Sequence, residues 1–254
     1  MAGQTRGSTD GDVDTIGGDG LTGLHARTLD RLGTAIASGG LPAGSVLYID
    51  DLAGEHGVSR SVVREVLRVL SSMGLVESRR RMGTQIRPAA DWNVFDPQVI
   101  RWRLATDERL GQLRSITELR TAVEPEAARL AALRADRQEA SSLVALAAQM
   151  WAAGKDGDVP RFLELDIEFH REVLRCSGNE MFLKLNEIVA AVLIGRTEHG
   201  LMPHHPDDEA LQLHADVAHG IQRRDGAAAR AAMVRIMEQA MDEMSSLWPR
   251  SDAT

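Results

Sequence analysis

The chain of 254 residues contains a single cysteine, Cys176. That excludes an intramolecular disulfide framework and a CxxC zinc site, and it fits a reducing compartment. No run of 18 apolar residues is present, so no membrane-spanning helix is expected. The opening residues MAGQTRGSTDGDVDTIGGDG lack the apolar core of a secretory signal, so a cytoplasmic location is expected. HExxH, GxSxG, Walker A and GxGxxG are all missing, which removes the common catalytic and nucleotide-binding signatures. Aromatic residues make up only 4% of the chain against 43% hydrophobic residues overall. A core built mainly of Ala, Leu, Val, Ile and Met follows, and that composition favours helices over a β-sandwich.

What is present is unevenly distributed. The net charge is −8, yet residues 24–88 carry nine Arg against six acids, a local excess of positive charge. An acidic protein with one basic segment suggests a polyanion-binding module joined to something else. Residues 1–23, with seven Gly and few apolar side chains, are expected to be a disordered tail.

The punctuation after that tail is orderly. Leu24, Leu29, Leu32 and Ile36 recur at helical spacing until Gly39-Gly40, Pro42 and Gly44 break the pattern. Ile49–His56 is helix-sized and ends at Gly57. Ser59 then caps SRSVVREVLRVLSSM, whose Val62, Val63, Val66, Leu67, Leu70 and Met73 form a core-facing stripe. Leu75–Glu77 and Thr84–Arg87 read as short extended runs around a basic tip. Helix, helix, tight turn, helix, hairpin is the order of a winged helix-turn-helix over residues 24–88. Residues 89–106 read as a linker and connecting helix. Beyond them, helices are expected at about 97–105, 109–134, 136–153, 160–177, 179–199, 208–224 and 226–247. The fold expected is therefore mainly α: a winged helix-turn-helix followed by an all-α bundle of six or seven helices over residues 107–250.

A recognition helix needs one apolar face for its own domain and one polar face for the major groove. Arg60 and Arg64 lie four apart near the start of the third helix, so they share a face. Ser59 and Ser61 sit beside them, where a helix N-terminus attracts phosphate. A guanidinium can take both O6 and N7 of guanine. Arg79, Arg80 and Arg81 at the hairpin tip suit phosphate or a minor groove. Either feature alone could be a solvated surface; together, in this order, they point to double-stranded DNA.

The segment IASGGLPAG…LAGEHGVSRSVVREVLRVLSSMGLVESRRRMGT resembles the winged-helix domain of the GntR family of bacterial transcription regulators. The resemblance rests on Gly39, the Pro42–Gly44 turn, Leu52-Ala53, Gly57-Val58-Ser59-Arg60, Val63-Arg64-Glu65, Gly74-Leu75 and Gly83. It implies DNA contacts from Ser59, Arg60, Arg64 and Gly83; Ser61, Arg79, Arg80, Arg81 and Thr84 are further candidates by their place beside them. Some members place an Arg one turn before the helix-turn-helix turn. This chain has Asp50 there, which implies an altered site preference. The stretches ELRTAVEPEAARLAA, DIEFHREVLRCSGNEMF and LHADVAHGIQRRDGAAARAAM resemble the FCD effector domain of the FadR subfamily. DWNVFDPQVIRWRL is similar to the linker and first helix of D-galactonate operon repressors, a narrower group within that subfamily.

In the acidic half, Asp166 and His170 are four apart and project from one helix face. His214 lies on a later helix among Leu211, Leu213 and Val217. Such a set can share a divalent metal such as Zn, or it can be an i,i+4 ion pair beside an interior histidine. The family resemblance implies that these are three of four metal ligands, with the fourth position at Ile236, which cannot coordinate. The D-galactonate group also lacks that last His. Arg120 either grips an effector carboxylate or pairs with Glu124 one turn on; the resemblance implies the effector role. Asn186, Arg196 and His199 are further candidates for effector contacts, and His204-His205 are expected in a solvent-facing loop.

The function expected is a homodimeric DNA-binding transcription regulator, a repressor of sugar-acid metabolism genes. It would bind an inverted-repeat operator, since a two-fold dimer presents two matched winged helices. A small carboxylate such as an aldonate would release it, with lactate, a dicarboxylate, a fatty acyl group or a metal as alternative effectors. The rival class is a helical metal-dependent enzyme using Asp166, His170 and His214. It lacks a base, because Glu168 and Glu172 do not share their face, and it leaves the winged helix unexplained. A DNA-binding architectural protein without an effector fits poorly with a large acidic bundle, which repels the phosphate backbone.

Overall fold

The computed structural model describes residues 18–80, 82–198, 200 and 207–245. The tail expected to be disordered lies largely outside them, as do Arg81, His199, His204 and His205. The chain divides into two compact units between Trp92 and Asn93.

The first unit begins with α1 (Gly18–Ala37), which starts six residues before the expected Leu24. Leu29, Leu32 and Ile36 form its buried stripe. After the turn comes β1 (Val46–Leu47), then α2 (Ile49–His56), which Gly57 ends in the left-handed conformation. Ser59 caps α3 (Arg60–Ser72) by accepting from the Val62 N–H. Val63, Val66, Leu67 and Leu70 bury the inner face of α3 against α1 and α2. The wing is β2 (Val76–Arg79) and β3 (Gly83–Ile86). It is three-stranded rather than a lone hairpin, because β1 pairs antiparallel with β3 on its other edge. Gly83 makes this closure possible. Its φ is 91°, and a Cβ there would stand 2.8 Å from Val46 Cγ1 and 3.1 Å from the Leu47 carbonyl.

The second unit is helical throughout its described residues. Asp96 caps α4 (Pro97–Leu104), and Val99, Ile100, Trp102 and Leu104 are buried. The connecting helix expected at about 97–105 is thus α4, packed against neighbours within this unit. Then come α5 (Arg109–Arg134), α6 (Arg137–Asp156) and α7 (Val159–Cys176). An Asp136/Glu139 capping box starts α6. The expected helix over 179–199 is two: α8 (Glu180–Leu183) and α9 (Asn186–Glu198). The chain turns at Lys184-Leu185, where the Leu185 N–H bonds the Phe182 carbonyl three residues back. Redirected in this way, α9 buries Ile188, Val189, Val192 and Leu193. Finally α10 (Asp208–Gln222) and α11 (Gly226–Ser245) form a hairpin. They approach so closely that a Cβ on Gly220 would lie 2.7 Å from the Ala229 nitrogen. In the core, α5 packs against α7, α10 and α11.

Candidate nucleic-acid interface and ligand cavity

In the first unit the candidate residues gather at the N-terminal end of α3 and along the wing. Ser59, Arg60, Ser61 and Arg64 are all exposed, and the Ser59 and Ser61 hydroxyls are 2.8 Å apart. Arg60 is not alone: its Nε lies 2.6 Å from Asp50 Oδ1, on α2. Arg64 has no acidic partner among the described residues. With Arg68, Ser71, Ser72, Ser78 and Thr84 it lines a groove between α3 and the wing. Arg68 and these serines were not singled out from the sequence. Their signal was the continuation of the i,i+4 stripe from Arg60 through Arg64 to Arg68. At the wing, Arg79 and Arg80 are exposed. Arg79 is engaged with Glu77 on its own strand, Nη2 to Oε1 2.6 Å. Thr84 and Gly83 are half-buried, and the contacts that hold Gly83 are with β1.

In the second unit, α5, α7 and α10 bring Arg120, Asp166, His170 and His214 together, all buried. Asp166 Oδ1 is the focus. His170 Nε2 is 3.3 Å from it and His214 Nε2 is 3.4 Å from it. The far nitrogen of each ring has its own polar neighbour. His214 Nδ1 lies 2.8 Å from the Ala210 carbonyl. His170 Nδ1 lies 2.5 Å from Glu124 Oε2. Phe169, fully buried, meets both rings edge-on. Arg120 and Glu124 are ion-paired, Nε to Oε1 2.5 Å, while Arg120 Nη2 reaches to 3.4 Å from His170 Nε2. The pairing with Glu124 and the approach to the cavity therefore coexist.

The electrostatics follow from this crowding. Burial alone would raise the Glu124 carboxyl, but the Arg120 guanidinium and His170 beside it hold it down at about 2. Burial would likewise raise Asp166, but the close approach of His170 and His214 holds it far below the usual carboxylate range. For His170, burial disfavours the charged ring; the Glu124 charge and the close approach of Asp166 outweigh it and lift the ring to about 9.

A cavity of about 190 Å³ opens onto this cluster. Arg196 and Ile236 line it, with Leu193, Met237 and Gln239. Arg196 is buried and pairs with Glu243, Nη2 to Oε2 2.5 Å. Its Nε has no hydrogen-bond partner among the described residues, and burial, opposed by Glu243, lowers its affinity for a proton. Asn186 does not line the cavity; it starts α9 two turns before Leu193, about 10 Å along the axis. Gln239 and Glu243 were missed from the sequence, and Glu124 was read only as a partner of Arg120, since the further contacts depend on which helices meet.

The donor set suits a divalent cation. One carboxylate and two imidazoles present ligand atoms within 4.8 Å of one another. Asp166 Oδ1, His170 Nδ1 and His214 Nε2 are all buried without a well-formed hydrogen bond among the described residues. Glu124 and the Ala210 carbonyl orient the two rings as outer partners do in metal sites. Ile236 occupies the neighbouring wall with an apolar side chain, and Arg120 adds a fixed positive charge. Cys176 offers no ligand or nucleophile here: burial, helped by Glu172, pushes its thiol up to about 12.

Comparison with known proteins agrees with this two-part layout. The family of bacterial regulatory proteins named gntR matches residues 24–86, and the FCD domain matches residues 115–239. The galactonate operon transcriptional repressor of Escherichia coli (strain K12) is 30% identical over 215 residues, 83% of this chain and 92% of that protein. The probable D-xylose utilization operon transcriptional repressor of Paenarthrobacter nicotinovorans is 28% identical over 163 residues, 64% of this chain and 63% of that one. E. coli McbR/YncC is 19% identical with a TM-score of 0.51, covering 89% of this chain and 99% of that chain, a likeness of fold. The first two of these relatives are named as transcriptional repressors, and no helix among the described residues is long and apolar enough to cross a membrane. The chain belongs to the GntR family of bacterial transcription regulators, with a DNA-binding winged helix-turn-helix followed by an FCD effector domain.

Proposed function

We propose that this regulator represses genes of sugar-acid utilisation and is released by a small carboxylate, an aldonate such as galactonate, held in the FCD cavity. One observation carries the reading: two buried guanidiniums, Arg120 and Arg196, face one small cavity with the Asp166/His170/His214 set, and Arg196 Nε is unpartnered there. A buried guanidinium fork is the natural partner of a carboxylate. Asp166, His214 and Gln239 supply polar atoms for hydroxyl groups. A cavity of about 190 Å³ is smaller than the ~300–1,000 Å³ usual for drug-sized ligands, which favours a short acid over a fatty acyl chain. The names of the galactonate and xylose relatives support the sugar chemistry.

Asp166, His170 and His214 would hold a divalent ion such as Zn with at least one position left open. Such an ion would supply a Lewis-acid anchor for the effector's oxygen atoms. In the winged-helix unit, Ser59, Arg60, Ser61 and Arg64 would contact the major groove, and Arg79, Arg80, Arg81, Gly83 and Thr84 would contact the backbone. A homodimer reads an inverted repeat, and the effector favours the DNA-incompetent arrangement by a few kcal/mol.

A thermal-shift panel tests the effector site. Aldonates, lactate, dicarboxylates and Zn²⁺ are each added to the full chain, because a ligand of the folded state raises the midpoint. A rise with an aldonate that Arg120→Ala removes is expected. Stabilisation by Zn²⁺ alone, with no acid effective, replaces the carboxylate effector with a metal.

A further inference from the structure

Asp50 lies in the first turn of α2 and Arg60 opens α3, and the two side chains meet at 2.6 Å with 67% and 66% of their surfaces exposed. An exposed ion pair adds little to stability. An acid on this surface also carries a cost, because it repels the phosphate backbone that the neighbouring arginines attract. Its effect must therefore be sought in geometry. The closest approach is at Nε, the inner nitrogen of the guanidinium. The outer edge, with its two Nη groups, is the edge that forks onto O6 and N7 of guanine. Arg68 and Arg79, by contrast, pair with acids on their own helix or strand. The Asp50 contact reaches across the helix-turn-helix and ties the arginine at the tip of α3 to α2. An arginine tethered in this way loses less rotamer freedom when it meets a base.

We propose that Asp50 is a positioning residue for base readout. It holds Arg60 so that the outer guanidinium edge selects a guanine, and its own charge lowers affinity for DNA in general. The idea rests on Arg60 meeting DNA, as set out under the proposed function, and the test separates the two. Full-length wild type, Asp50→Asn and Arg60→Ala are each used to select from a library of random double-stranded DNA. Equilibrium competition then measures the effect of replacing each guanine of the wild-type site. Wild type discriminates one guanine per half-site by on the order of ten- to a hundred-fold. Asp50→Asn loses most of that discrimination at this guanine only, binds random DNA more tightly, and keeps the wild-type melting temperature. Arg60→Ala loses discrimination at the same guanine. If Arg60→Ala loses it and Asp50→Asn retains it in full, the positioning role of Asp50 is wrong while Arg60 remains a reader. If Arg60→Ala leaves the selected site unchanged, the assignment of Arg60 to DNA fails, and the role of Asp50 with it.

Discussion

Glu124 stands at the junction of the buried charges, between Arg120 on one side and His170 on the other. Without it Arg120 loses its ion-pair partner, and His170 keeps only Asp166 of its two carboxylate neighbours. Glu124→Gln should cost about 3–5 kcal/mol of stability, the usual penalty for breaking a buried pair and stranding the partner charge. The pH dependence has a definite sign. A carboxyl held down at about 2 stabilises the fold above its ordinary value of 4.5, and that contribution fades as pH falls toward 2. A histidine raised to about 9 stabilises below 6.5 and loses its contribution as pH rises through 9. In chelator-treated protein the network should thus be most stabilising between about pH 4.5 and 6.5. Calorimetry should show the melting temperature falling from pH 6.5 to 9, with a shallower fall in Glu124→Gln, where the charge that lifts His170 is gone. Equal slopes in the two proteins would show that Glu124 does not set the histidine's titration. Little of this was legible beforehand. The Asp166/His170 spacing and the Arg120/Glu124 spacing each reveal a pair on one helix. That Glu124 reaches His170 depends on how α5 packs against α7, which spacing within a helix does not encode.

At the scale of elements, α3 carries the DNA reading and the α10–α11 hairpin carries one wall of the cavity. Arg64 has no acidic partner among the described residues and lines the groove beside the wing. Arg64→Ala should weaken binding to a selected site by about 1–3 kcal/mol, measured by fluorescence anisotropy, if the side chain makes a bidentate base contact. An unchanged affinity would remove it from the interface. In the hairpin, Gly220→Ala forces a methyl group into the Ala229 backbone, 2.7 Å from its nitrogen and 2.9 Å from its Cα. Backbone cannot swing aside as a side-chain end can. A loss of about 1–3 kcal/mol in urea unfolding is expected, whereas a loss near zero would mean that the helices part easily. Helices α2 and α3 were legible because Gly57 and Ser59 mark their limits. Strand β1 was not: it has two residues, and its partner in β3 lies far along the chain. The division between α8 and α9 also escaped, since Lys184-Leu185 contains neither Gly nor Pro and only the need to bury α9 turns the chain there.

For the whole molecule, the division of labour was readable from charge and motif, because a basic helix-turn-helix and an acidic helical segment have different compositions. Of the ligand cavity, Arg120, Asp166, His170, Arg196, His214 and Ile236 are named from the sequence and its family resemblance, whereas Gln239 and Glu243 enter it from α11, whose own pattern resembles an ordinary amphipathic surface. The central claim joins the two units: a carboxylate in the cavity controls the hold on DNA. The most direct measurement is a gel shift of the full chain on the DNA upstream of its own gene, with galactonate titrated into wild type and Arg120→Ala. Wild type should release the fragment as galactonate rises, while Arg120→Ala should bind it equally well and stay bound. Equal release of both proteins, or binding indifferent to every sugar acid tried, would contradict the account.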